Sequence, residues 1–176
     1  MVRDEEYQTN AAPRSATTAS RAFIIVSFAI GVLRGLPAFQ SIFLATQGWS
    51  QENISLAFFL MGLSAVLVLP FAGNWLDKTN VDRRIFLVTA TIVSAFFGAA
   101  ILFVQEDKQL QSLVYPTKII EGASGSFIGL CIAALTLASY GPLRFDKNIA
   151  SNIMWVHAGS AVTAIAAAAL VSLIFP

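Results

Sequence analysis

Four ionisable side chains fall inside stretches that are otherwise apolar: Arg34, Lys118, Glu121 and His157. A centrally placed arginine in hydrocarbon costs about 2.5–3.5 kcal/mol on insertion scales, so such a group is expected to face a bundle interior or water, with a partner. The chemistry open to them is solute binding, ion pairing and proton exchange. Glu121 is the candidate partner for Arg34, since both fall at similar depth in their apolar runs. Lys118 precedes Glu121 at i−3, one helical turn away, so these two form a second candidate pair. A desolvated lysine can exchange its proton, which an arginine practically cannot. Lys118–Glu121 therefore reads either as a proton-coupling pair or as a structural ion pair that orients helices. His157 reads either as a proton relay or solute ligand, or as a hydrogen-bonded packing residue. Pro37 frees backbone carbonyls close to Arg34. Asn152 reads as a helix cap or a vestibule residue.

The elements that must position these groups are five apolar runs: Ala22–Thr46, Ile54–Leu76, Ile85–Val104, Leu113–Ser139 and Ile149–Phe175. A helix rises about 1.5 Å per residue, and the bilayer core is about 30 Å thick, so each run is long enough to span. Hydrophobic residues make up 56% of the chain and charged residues 12%, too little polar surface to coat a globule in water. The expected fold class is all-α, a multi-pass transmembrane bundle over residues 22–176. Residues 1–21 read as a disordered, solvated cytoplasmic tail without the pattern of a signal peptide. The loops are short, which predicts that consecutive helices pack as antiparallel neighbours. Gly31 with Gly35, and Gly125 with Gly129, are small-xxx-small pairs that let helix backbones approach.

Charge sets an orientation. With the N-terminus cytoplasmic, the inner segments hold Arg3, Arg14, Arg21, Lys78, Arg83, Arg84, Arg144 and Lys147, while the outer loops hold only Lys108. Eight cations against one is a strong positive-inside bias. It places the 77–84 and 140–148 loops inside and the C-terminus outside. Trp49 and Trp75 fall at opposite boundaries, as interfacial anchors do.

Between the second and third runs lies Gly73-Asn74-Trp75-Leu76-Asp77-Lys78-Thr79-Asn80-Val81-Asp82-Arg83-Arg84. Gly73 allows close approach at a helix end, Asp77 can accept from a helix N-terminus, and Arg83 and Arg84 can bridge to carboxylates or lipid phosphates. The segment resembles the loop signature of the major facilitator superfamily (MFS) of transporters, G-x-L-a-D-r-x-G-r-[RK], with Gly73, Asp77, Lys78, Arg83 and Arg84 in order. Asn80 stands where the central glycine is usual, and asparagine tolerates the same left-handed backbone. Val114, Lys118, Glu121, Gly122 and Gly125 are similar to the family pattern l-x-x-x-R-x-x-q-G-x-g-a at the start of its fourth helix. The resemblance implies the amino-terminal half of such a transporter, truncated after its fifth helix. It also implies a central cavity lined by the first and fourth helices, where Arg34 and Glu121 could meet.

No zinc site is expected from one cysteine and one histidine, and no Walker motif is present, so no cofactor, metal or enzymatic activity is expected. Cys131 reads as packing. The expected function, by resemblance, is secondary active transport of a small solute by alternating access in the cell membrane. The alternative is a non-transporting fragment or subunit. Expected partners are the lipid bilayer, a small-molecule substrate, and either further copies or a missing carboxy-terminal half. A net charge of +1 gives no reason to expect nucleic acid. In intact cells, a cysteine introduced as Asn80→Cys is expected to resist membrane-impermeant maleimide and to react only after permeabilisation; labelling from outside would invert the topology.

Overall fold

The computed structural model describes residues 13–103 and 112–174. Among these residues the regular structure is all helical: α1 (Pro13–Thr46), α2 (Gln51–Lys78), α3 (Arg83–Ala100), α4 (Val114–Tyr140) and α5 (Pro142–Ile174). A short 3-10 turn, Ile101–Phe103, extends α3. All five helices are long and apolar enough to cross a membrane. Large apolar side chains cover their outer faces, Phe71 at 75% and Phe103 at 80% exposure among them. That surface suits lipid and not water.

Boundaries moved at both ends of the chain. α1 starts at Pro13, inside the stretch expected to be a tail; proline's fixed φ and missing N–H suit a first helical position. Residues 1–12 of that tail lie outside the described residues, as does nearly all of the loop carrying Lys108. The expected 140–148 loop contracts to a hinge at Gly141, whose φ of 71° resists any β-carbon. Its N–H donates to the Leu137 carbonyl at 2.9 Å, and Pro142 opens α5 directly. Arg144 and Lys147 thus ride on the first turns of a helix instead of a loop. At the other junctions, Ser50 accepts from the Asn53 N–H and caps α2, and Asp82 accepts from the Arg84 N–H at 2.9 Å and caps α3.

Packing does not follow chain order. α1 packs chiefly on α5, while α2 and α3 both pack on α4; α1 scarcely touches α2 despite the short connection. Lipid tails are as apolar as leucine, so helices associate through close backbone approach and interhelical hydrogen bonds. Both devices sit at these seams. A β-carbon on Gly31 would collide with the Val156 carbonyl, and one on Gly159 with the Phe28 carbonyl. The Thr163 hydroxyl lies 3.0 Å from the Val32 carbonyl oxygen across the same seam. On the α2–α4 seam, Gly122 abuts the Met61 backbone, the Ser64 hydroxyl donates to the Ile119 carbonyl at 2.9 Å, and the Ser126 hydroxyl to the Ala65 carbonyl at 2.7 Å. Gly125, by contrast, faces open space, and Gly129 has only Arg34 before it. That glycine pair makes room and not a seam.

The core has two apolar layers. Leu44, Ile54, Ala57, Ile101 and Val114 close one end, and Ile30, Ala90, Ile128, Ile132 and Val156 fill the other. The late part of α1 thus meets the early part of α4, so the two run antiparallel. Polar residues occupy the level between the layers.

Gly31→Leu is expected to lower the thermal unfolding midpoint of the protein in detergent, by an amount equivalent to about 1–3 kcal/mol or more of overpacking strain. Gly62→Ala, whose β-carbon meets nothing within 4 Å, is expected to leave that midpoint unchanged or slightly raised.

Candidate functional site

The polar level is built around Lys118, a side chain with 0% exposure. It stands on the second turn of α4, and Glu121 follows one turn on. The Nζ donates to Glu121 Oε2 at 2.7 Å and to the Gln40 side-chain oxygen of α1, and lies 4.5 Å from the centroid of the Phe58 ring of α2. An ammonium group has donors for all of these, and a cation–π contact strengthens when desolvated. Gln40 turns its own amide onward, donating Nε2 to the Gly98 carbonyl of α3 at 2.8 Å. Gly98 lies in the last turn of α3, where carbonyls lack intrahelical donors. Its missing side chain also matters: a β-carbon there would crowd Gln40 Nε2 at 3.3 Å and Glu121 Oε1 at 3.4 Å. One network therefore joins α1, α3 and α4, with the α2 ring over its charge.

Beside the network lies an open cavity of about 500 Å³ between α1, α2 and α4. Arg34, Glu121, Gly125 and Gly129 border it, with Ser94 of α3 behind. Glycines on the α4 face are what leave the space. Within α1, Pro37 cannot supply the N–H that the Leu33 carbonyl would normally accept, and both residues border the cavity.

Arg34 and Glu121 share this cavity but form no ion pair; among the described residues the one ion pair is Lys118–Glu121. Side chains on a helix lean toward its N-terminus. Because α1 and α4 are antiparallel, the leanings of Arg34 and Glu121 diverge. The Arg34 Nη2 ends up 3.7 Å from where a Gly129 β-carbon would sit. Gly129 is eight positions beyond Glu121, about 12 Å along the helix. The similar depth expected from Cα positions does not survive the direction of the side chains.

Other expected residues lie elsewhere. His157 is exposed on the outside of α5, away from the cavity, and has no hydrogen bond among the described residues. Asn152 neither caps nor lines a vestibule: it is buried, and its amide donates to the Thr136 hydroxyl of α4 at 2.9 Å. In the α2–α3 junction, Asp77, Lys78 and Arg84 are exposed and Arg83 half-buried, and none forms an ion pair. Gly73 meets open space, so it makes no close approach. Among the described residues no non-glycine residue has a positive φ, so Asn80 does not take a left-handed backbone. Capping falls to Asp82, not Asp77. Gln40 was the residue that sequence reasoning missed; its signal was an amide inside an apolar run.

No family model matches the chain, and no solved structure matches it. Two proteins from different strains of Mycobacterium tuberculosis, each described as an uncharacterized MFS-type transporter, are 28% identical to it over 156 residues. That alignment covers 86% of this chain and 35% of each relative, so the chain spans about a third of their length. Together with the five apolar helices, the likeness supports an integral, multi-pass membrane protein of transporter-like kind.

Lys118→Met strands the Glu121 carboxylate, and breaking a buried pair by removing one partner costs about 3–5 kcal/mol. Chemical unfolding in detergent should report a loss of that order. The double variant Lys118→Met with Glu121→Gln is expected to recover a large part of it; no recovery would mean that the two side chains do not act as a pair.

Proposed function

We propose that this chain forms part of a secondary active transporter that moves a small solute by alternating access, driven by an ion gradient. The observation that carries the reading is the cavity between α1, α2 and α4, bordered by both Arg34 and Glu121 at the level of the spans. Intramembrane charge is expensive, and it persists where it lines a solute or ion path. The likeness to MFS-type transporters supports the same class. The buried Lys118–Glu121 pair is the candidate coupling element, and Arg34 the candidate solute contact. The basic residues near Arg21, the α2–α3 junction and the start of α5 share one end of the bundle, which supports an N-terminus on the cytoplasmic side of the cell membrane.

Five helices supply one wall of such a cavity, and rocking needs a second body. Further helices of a longer protein, or another copy, would provide it. The alternative is a subunit that binds without transporting.

The test is flux in proteoliposomes made with protein expressed from the complete gene. Saturable uptake from a panel of small labelled solutes is expected, and it should collapse when ionophores dissipate the imposed gradient. Glu121→Gln is expected to keep solute binding while cutting gradient-driven uptake at least tenfold. Only unsaturable leak, equal to that of empty liposomes across the panel, would refute transport.

A further inference from the structure

Charge bookkeeping around the cavity leaves one group over. Lys118 and Glu121 cancel one another at 2.7 Å. Arg34 is then an uncompensated cation: no acidic side chain pairs with it and no hydrogen bond reaches it among the described residues. It is also exposed, its guanidinium open to the cavity and not folded into a seam. Opposite it is Gly129, whose missing side chain leaves space: a β-carbon built there would lie 3.7 Å from Nη2.

We infer that Arg34 is the recognition group for an anion, and that the cavity takes small organic anions bearing a carboxylate or a phosphate. The inference rests on the transport reading for its setting and narrows it to a substrate class. Its logic is one of unmet demand. A guanidinium presents N–H donors in a planar fork that matches two oxygens of a carboxylate or phosphate. Open to the cavity with no acceptor among the described residues, it gains most from a ligand that supplies both charge and oxygens. Neutral and cationic solutes supply neither, and a cation would meet Arg34 with no free carboxylate to offset it, because Glu121 is already engaged. The remaining lining is apolar apart from Ser94 and Ser126, and the Ser126 hydroxyl is spent on the Ala65 carbonyl. A body of modest size with one anionic end fits a cavity of about 500 Å³.

The test is ligand-dependent thermal stability of the purified full-length protein in uncharged detergent. The probes are benzoate, succinate and glycerol phosphate, with benzamide, succinamide and glycerol as neutral counterparts. Phosphatidylglycerol added to the micelles forms a separate arm, because lipid phosphate is the other source of the same chemistry. At least one soluble anion is expected to stabilise the protein saturably, with apparent affinity at least tenfold above its neutral counterpart. Arg34→Gln should lose that preference at least tenfold, and Arg34→Lys should retain part of it. The ligand-free midpoint of Arg34→Gln should be equal to or above that of the wild type, since the substitution removes an unpaired charge.

Three results would overturn the inference. One is equal stabilisation by anion and neutral counterpart. Another is stabilisation by phosphatidylglycerol alone, which would make Arg34 a lipid contact. The third is a clear fall in the ligand-free midpoint of Arg34→Gln, which would make it a structural partner of another segment. Anion binding without flux would refute transport and leave the anion site standing. Gradient-driven flux of a neutral solute that survives Arg34→Gln would do the reverse.

Discussion

Hydrocarbon offers no hydrogen-bond partner, and the structure of this chain follows from that constraint. A backbone crossing lipid must satisfy its own N–H and C=O groups, so the five spans are helices and their outer faces are apolar. The same constraint decides how the helices associate. With no hydrophobic drive between them, the tight contacts fall where glycine lets backbones touch and where a hydroxyl can reach a neighbour's carbonyl. Gly31 and Gly159 do this for α1 and α5; Gly122, Ser64 and Ser126 do it for α2 and α4.

The constraint bears hardest on charge. Lys118 is wholly enclosed, and the fold answers with a carboxylate, an amide oxygen and an aromatic face around one ammonium. Satisfying Lys118 positions Gln40, and satisfying Gln40 uses the loose carbonyl at the end of α3. The polar network thereby links three helices at one level, between two apolar layers that pin the bundle above and below. Arg34 is treated differently. It is left open on a cavity, two helical turns from the pair, with no acidic partner among the described residues. A buried, balanced pair beside an exposed, unpaired cation is a division that the two environments impose.

Much of this was legible in the residues. The apolar runs located the five spans, because the thickness of lipid fixes a length that composition alone can reveal. The i,i+3 spacing of Lys118 and Glu121 foretold their pairing. The start of α5 was not legible: Arg144 and Lys147 read as a loop, while the helix simply extends beyond the apolar run from Pro142. Short loops also misled, since a connection fixes which helices are joined and not which faces are smooth enough to pack. The Arg34–Glu121 meeting failed because depth was judged from the backbone, whereas antiparallel helices tilt their side chains apart. Gln40 escaped because an uncharged amide leaves no mark in a search for ionisable groups. His157, Asp77, Lys78 and Arg84 stand on exposed faces, where the described residues form no ion pair with them.

The most direct measurement is water access at the two sites in lipid. Cysteines introduced singly as Arg34→Cys and Lys118→Cys, each with Cys131→Ser, would be exposed to a charged thiosulfonate reagent after reconstitution. The account predicts modification of the first within minutes and protection of the second over the same period. An inert residue at 34, or equal reaction at both positions, would contradict an open cavity at Arg34 standing beside an enclosed Lys118.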